Sequence, residues 1–211
     1  MAIINAKRID SISDLKATTE IHILECNNWP AFPYKPDVKF QIAHDDKHIF
    51  LRYTVREKEI RALYVVDQEP VYKDSCVEFF IEPVNDGFYY NFEFNCVGAA
   101  LLGFGDSRYN RIRASADVMH QIIRTSSMEH KVQELQRGKF EWELEVVIPL
   151  TAFFKHQITS LSEQMTKANF YKCGDELTEP HYLSMHKIGT DKPDFQRPEY
   201  FGELYFEPAN K

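Results

Sequence analysis

The segment spanning residues 70–98 constrains the fold of this chain more than any other. Two stretches rich in β-branched and aromatic residues, 76–83 and 89–97, lie on either side of an Asp86-Gly87 pair. Asp-Gly is a strong signal for a tight hairpin turn, because both central residues of that turn take positive φ angles. The segment therefore predicts a β-hairpin whose turn is centred on Asp86 and Gly87.

A turn at this position predicts the cross-strand register of the hairpin. It places three pairs opposite one another, which are Glu82 with Asn91, Phe80 with Glu93, and Glu78 with Asn95. Because side chains alternate between the two faces of a strand, one face is apolar and needs a core that a hairpin cannot supply alone. That apolar face carries Val77, Phe79, Ile81, Tyr90, Phe92, Phe94 and Cys96.

The opposite face of the hairpin is predominantly polar and is open to two interpretations. It carries Glu78, Phe80, Glu82, Asn91, Glu93 and Asn95. A solvated outer face is common in antiparallel sheets. However, the face has acids without a single base, and acids opposite one another on neighbouring strands repel. The second interpretation is a rigid row of carboxylates and amides that binds a polyhydroxylated ligand.

The rest of the chain predicts further strands and little helix. Residues 38–57 read as a second hairpin, residues 140–148 alternate cleanly between apolar and acidic types, and other strands are expected at 165–173, 182–187 and 201–207. About nine or ten short strands favour an all-β fold, a single antiparallel β-sandwich or jelly-roll-like domain over residues 1–211. The residues expected to share its core are Val77, Phe79, Ile81, Phe92, Phe94, Trp142, Leu144 and Val146.

Charge and composition exclude some classes of partner. The net charge of −7 gives no electrostatic basis for binding nucleic acid or an anionic membrane, and no apolar run has transmembrane length. The N-terminus has no signal-peptide pattern, so the chain as written is expected in the cytoplasm, and a trimmed form in the periplasm or outside the cell. The sequence does not indicate an oligomeric state.

The four cysteines are expected to be free thiols. Cys76 and Cys96 fall on opposite faces of the predicted hairpin, so they should not pair with each other. No C-x-x-C spacing indicates a zinc site. Free buried thiols favour a reducing compartment.

Five blocks of sequence, in order, carry a resemblance to a known family. They are PVYKDSCVEFFIEP, YYNFEFN, FEWELEVVIPL, ANFYKC and DFQRPEYFGEL. Together they resemble the family 9 carbohydrate-binding modules, β-sandwiches found with xylanases and related glycoside hydrolases and similar to the wider DOMON-like group. The resemblance covers roughly residues 36–208. It implies a non-catalytic domain that holds the end of a mono- or oligosaccharide between two aromatic rings and takes part in polysaccharide breakdown.

The resemblance also implies which residues bind the sugar. Its two stacking rings fall at Tyr72 and Phe195, and its hydroxyl-binding acid falls at Glu78. Glu93 stands where the best-known members have a base that faces the ligand. Apolar C–H faces of a sugar stack on aromatic rings, while its hydroxyls need fixed donors and acceptors.

Further ligand-facing residues follow from strand alternation. Asn91 and Asn95 lie on the polar face of the hairpin, and Asn169 and Tyr171 point toward the same face from the ANFYKC block. The sequence also departs from the family pattern. The rings are Tyr72 and Phe195 instead of tryptophans, and an acid replaces a base at Glu93, so the identity of the sugar stays open.

Two other functions remain as alternatives. Glu78 and Glu93 are diagonal neighbours in the predicted register, at roughly 7–8 Å between backbones, which suits a weak inverting glycosidase. A flat sheet with no loop to enclose a transition state argues against that activity. The other alternative is a structural β-sandwich whose sugar site has decayed.

No cofactor is expected, and one weak metal candidate is present. Asp45 and Asp46 in a predicted turn are a candidate site for a structural calcium ion, although an Asp-rich turn without metal is common. Met185 and His186 are adjacent on a predicted strand. They point to opposite faces and cannot both bind one haem iron.

Overall fold

The computed structural model describes residues 3–208, which form fourteen strands and a few single helical turns. The one-turn helices are α1, Leu15–Thr18, and α2, Ala116–Met119, and 3₁₀ turns occur at Ile12–Asp14, Val71–Lys73, Leu150–Ala152 and Pro198–Tyr200. The strands are β1 Ile4–Arg8, β2 His22–Ile23, β3 Cys26–Asn27, β4 Asp37–His44, β5 His48–Ala62, β6 Cys76–Glu82, β7 Tyr89–Asn95, β8 Ala100–Gly105, β9 Ile112–Arg113, β10 Ile123–Ser126, β11 Gln133–Pro149, β12 Met165–Cys173, β13 Tyr182–Ser184 and β14 Gly202–Phe206.

The strands form two layers that share one strand. Sheet I has the order β10-β11-β5-β4-β1 with β2 on β4, and sheet II has the order β1-β14-β12-β6-β7-β8-β9 with β13 on β12 and β3. The start of β1 pairs with β14 and its end with β4, in both cases parallel, while the remaining pairings are antiparallel. The predicted all-β sandwich with little helix is confirmed, with one parallel strand joining its layers.

The core between the two sheets contains the residues that the sequence predicts. All eight of them are at most 1% exposed and belong to one apolar cluster. Aromatic stacking joins the layers, because Phe170 of sheet II lies 4.0 Å from Phe40 of sheet I and 5.0 Å from Phe79, measured between ring centroids. Such stacking adds to the hydrophobic contribution of burying the rings.

The central hairpin is present as β6 and β7, but its predicted register is wrong by two residues. Glu78 lies opposite Glu93 and Phe80 opposite Asn91. The connection is a longer loop over residues 83–88, in which Gly87 has a φ of 84° and donates its N–H to Glu82 Oε1. A displacement of two residues keeps each side chain on its face, so the face assignment survives.

The polar face of this hairpin is not a solvent face. Its six residues are all buried, at most 6% exposed. They lie in or beside a second apolar cluster, which side chains of sheet II and of the loops over it form on the outer side of that sheet. We call this set the outer cluster; its buried members are Trp29, Val71, Cys76, Phe80, Tyr89, Ala99, Leu101, Tyr171, Cys173, Ile188, Phe195 and Phe201. Sheet II therefore has an apolar layer on each side, and the functional groups of the hairpin lie beneath the outer one.

The four cysteines are free, as predicted. Cys96 belongs to the core between the sheets and Cys76 to the outer cluster, which confirms their opposite faces.

Among residues 3–208, no helix has the length and apolar character needed to cross a bilayer.

Candidate functional site

The outer side of sheet II contains a cavity of about 360 Å³. Strands β6, β7, β8 and β12 form its floor. Its walls are formed by the Val71–Lys73 turn, by β9 and β13, and by the loops after β8, β12 and β13. Its lining residues are Tyr72, Glu78, Asn91, Glu93, Leu101, Arg108, Arg111, Arg113, Cys173, Asp175, Tyr182, Pro193, Asp194, Phe195 and Gln196. The expectation of a flat sheet with no enclosing loop is wrong, because these loops build a walled pocket.

The two aromatic rings implied by the sequence resemblance both line this cavity. Tyr72 is half-buried on the Val71–Lys73 turn, and Phe195 is 9% exposed in the loop that follows β13. Phe195 stacks on Tyr171, with 4.2 Å between ring centroids and 13° between planes, and the Tyr171 hydroxyl donates to Phe195 O. Tyr171 itself is fully buried. It supports Phe195 from behind instead of facing the cavity.

Two carboxylic acids lie side by side on the cavity floor. Glu78 and Glu93 face each other across β6 and β7, so they are direct cross-strand neighbours and not the diagonal pair that the sequence predicts. Burial raises the pKa of Glu78 well above its usual range, with the nearby Glu93 as a second cause. Burial also raises the pKa of Glu93 to about 7. The floor can therefore present protonated acids as well as carboxylates near neutral pH.

Both acids are held by hydrogen bonds. Asn91 Nδ2 donates to Glu93 Oε1 at 2.7 Å, and the Cys173 thiol donates to Glu78 Oε1 at 3.1 Å. On the wall, burial raises the pKa of Asp175 to about 6. The cavity thus combines aromatic surface with fixed donors and acceptors.

Sequence reasoning missed three arginines of the cavity wall. Arg108, Arg111 and Arg113 all come from the loop after β8 and the short β9. The guanidinium of Arg111 donates to Asn91 Oδ1 at 2.6 and 3.0 Å and lies 4.3 Å over the Tyr89 ring. Burial lowers the pKa of Arg111. A cluster of three arginines within six residues, in a chain with a net charge of −7, was the sequence signal that could have identified this wall.

A glycine in β8 leaves room for this contact. A Cβ at Gly103 would lie 2.6 Å from Asn91 Oδ1 and 3.2 Å from Arg111 Nε. Any larger residue would push the Asn91 and Arg111 side chains apart. Glycine at this position thus keeps the Arg111 guanidinium bonded to Asn91 at the cavity wall.

Comparison with known proteins identifies the family. The sequence pattern of carbohydrate-binding family 9 matches residues 10–206. The chain belongs to this family.

Solved structures agree with this assignment. One match is a "putative carbohydrate-binding protein" from Bacteroides uniformis ATCC 8492, at 39% identity and a TM-score of 0.91, with 98% of each chain covered. Two others are a family 9 module from Caldicellulosiruptor kristjanssonii, each at 12% identity. The complex with glucose has a TM-score of 0.66 and coverage of 99% of this chain and 97% of that one. The complex with cellotriose has a TM-score of 0.67 and coverage of 99% and 95%. At that identity they show a shared fold. No curated protein sequence matches the chain.

Two amides expected at the sugar site of this family 9 domain do not line the cavity. Asn95 donates to Tyr64 O at 2.6 Å and to Asp74 Oδ2 at 3.0 Å. Asn169 donates to the backbone oxygens of His186 and Tyr200, and its own oxygen accepts from His186 N. Both side chains are 0% exposed. They attach the covering loops to sheet II.

The carboxylates of Asp45 and Asp46 are occupied by hydrogen-bond donors. Asp45 Oδ1 accepts from the N–H groups of Lys47 and His48, which closes the turn between β4 and β5. Asp46 Oδ1 accepts from Ser160 Oγ and from Leu161 and Ser162 N–H groups. These contacts stabilise the turn and give both residues a structural role. A calcium ion would need six to eight oxygen ligands, more than two carboxylates supply. Calcium binding at this turn stays a prediction.

Proposed function

We propose that this family 9 domain binds the end of a mono- or oligosaccharide between Tyr72 and Phe195, without hydrolysing it, in the course of polysaccharide breakdown. The observation that carries the proposal is that both rings line one cavity with Glu78, Glu93 and three arginines. A volume of about 360 Å³ lies in the range of small-ligand sites, roughly 300–1,000 Å³. Family 9 structures of the same fold contain glucose or cellotriose.

The chemistry of the cavity suits a sugar. A pyranose presents C–H groups on its faces, which stack on aromatic rings, and hydroxyls on its edge, which need donors and acceptors together. Carboxylates accept, guanidinium groups donate, and a protonated acid does both. Because Phe195 is held by Tyr171, the ring is already in place and little side-chain entropy is lost on binding.

Titration calorimetry with glucose, cellotriose and a xylo-oligosaccharide tests the proposal. We expect Tyr72→Ala to weaken binding by about 1–3 kcal/mol, the range for losing a well-packed aromatic contact. Tyr72→Trp should retain or improve binding, because it enlarges the stacking face. Tyr205→Ala is the matched control, since Tyr205 is half-buried on β14 outside the cavity. The proposal is wrong if none of the sugars binds, or if Tyr72→Ala binds as tightly as the wild type.

Hydrolysis is the competing function, and the observed register gives it a specific basis. Glu78 and Glu93 are direct cross-strand neighbours on the floor of the cavity, and burial raises the pKa of each. Paired acids with different protonation states are the groups that glycosidases use. Release of new reducing ends from the same oligosaccharides, abolished by Glu78→Gln, would replace the binding proposal with a hydrolase.

A further inference from the structure

Two thiols and one carboxylate converge at the floor of the cavity. Cys76 and Glu78 lie on the same face of β6, and Cys173 of β12 pairs with Cys76 in the strand register. One ligand atom from each residue lies within 4.8 Å of the others, and Cys173 Sγ is 3.1 Å from Glu78 Oε1. All three residues are at most 3% exposed.

We propose that Cys76, Cys173 and Glu78 bind one zinc ion. Zinc takes thiolate and carboxylate ligands at about 2.3 Å and 2.0–2.2 Å, so its tetrahedral ligands stand within 4 Å of one another. The three atoms need to move inward only slightly to reach that spacing. Sulfur ligands select zinc over calcium or magnesium, which bind oxygen.

The site has three protein ligands and an approach from the cavity. Glu78 and Cys173 both line the cavity floor, while Cys76 is fully buried and does not line the cavity. Ions can therefore arrive through the cavity without unfolding of the sheet. With three protein ligands, a tetrahedral zinc ion would have its fourth position free for an exogenous ligand, as in catalytic zinc sites.

A second observation points to a cation at this place. Glu93 is 4% exposed, and its Oε2 has no hydrogen-bond partner among residues 3–208. Glu93 lies directly opposite Glu78 on β7. A buried carboxylate oxygen without a partner is costly, and a metal ion beside Glu78 would compensate the charge of both acids.

Metal titration of the full chain, with thiols kept reduced by a phosphine, tests the inference. We expect one equivalent of zinc chloride to bind in calorimetry, and one equivalent of cobalt chloride to produce a thiolate-to-metal charge-transfer absorption. Cys173→Ala and Cys76→Ala should each abolish that absorption. Each should also weaken zinc binding by at least about 100-fold, because mutating residues that only hydrogen-bond to metal ligands already costs about 10–100-fold in affinity.

Glu78→Gln and Cys26→Ala complete the design. Glu78→Gln should weaken zinc binding but keep the thiolate absorption. Cys26→Ala is the matched control, because Cys26 is a free thiol on β3 outside the cluster. Circular dichroism checks that each variant is folded, and Cys76→Ser replaces any Cys76→Ala protein that is not. Absence of stoichiometric binding by the folded wild type, or charge-transfer absorption that persists in Cys173→Ala, would overturn the inference. Neither result depends on whether the domain binds a sugar.

Discussion

The buried ring of His186 explains why a glycine, Gly202, occurs in the closing block of the chain. A Cβ at Gly202 would overlap the imidazole of His186, so glycine is required where β14 passes this side chain. His186 is 5% exposed and its Nε2 has no partner among residues 3–208, and its backbone is bonded to Asn169. Burial lowers the pKa of His186 from its usual value of 6.5.

The lowered pKa of His186 predicts acid sensitivity. As the pH falls below 6.5, the unfolded chain binds a proton at this histidine before the folded chain does, so the free energy of unfolding decreases. We expect His186→Gln to lose less stability than the wild type between about pH 7.5 and about pH 5.5 in urea unfolding. Equal losses in the two proteins would show that His186 does not contribute to the pH dependence.

Among the elements, β5 and β12 are joined across the sandwich by a buried ion pair. Lys172 Nζ lies 2.9 Å from Glu57 Oε2, and both side chains are 0% exposed. Trp142 Nε1 donates to Glu57 Oε1 at 2.6 Å, and Lys172 also contacts His181 Nε2 and Cys173 O. Each charge is thus compensated where water cannot reach.

Removing one partner of this pair should be strongly destabilising. We expect Lys172→Met to lower the free energy of unfolding by about 3–5 kcal/mol, because Glu57 would remain buried without its countercharge. Lys58→Met is the matched control. Lys58 pairs with Glu179 at the surface, where such a pair contributes about 0–1 kcal/mol. Similar losses in the two variants, measured by urea unfolding, would contradict the role given to Lys172.

At the scale of the whole molecule, sheet II separates two apolar layers. The core between the sheets contains Trp142, and the outer cluster contains Trp29, whose ring lies 6.0 Å from Phe195 and 6.1 Å from Tyr182. These are the two tryptophans of the chain. Because β6, β7 and β12 contribute side chains to both layers, the layers should unfold together.

The two tryptophans allow that cooperativity to be measured. We expect Trp29→Phe and Trp142→Phe proteins, each with one remaining tryptophan, to show fluorescence transitions that coincide with their own far-ultraviolet circular dichroism transitions. If Trp29 fluorescence changed at lower urea than circular dichroism in Trp142→Phe, the outer cluster would be a separately unfolding layer. The walls of the cavity would then open without loss of the sandwich.

Which side chains face the core was predictable from local sequence. Alternation along a strand depends only on the backbone geometry of that strand, so Val77, Phe79 and Ile81 were assigned correctly even though the register with β7 was displaced. The family resemblance assigned Tyr72 and Phe195 to one site, and both rings line the same cavity. That they bind a sugar stays a prediction.

Only the tertiary structure decided what covers the other face of the hairpin. A free Asp-Gly turn favours a two-residue connection, but here Glu82 accepts from Gly87 and a longer loop sets the register. Arg111 reaches Asn91 from a loop with no regular pattern, and Asn169 holds covering segments by bonds to His186 and Tyr200. Contacts between residues far apart in the chain depend on how loops pack, and no local periodicity encodes that packing. From the sequence, the acids of the hairpin could lie on a solvent-exposed face or on a ligand-binding face. The tertiary structure shows that Glu78 and Glu93 lie on the buried floor of a cavity with walls.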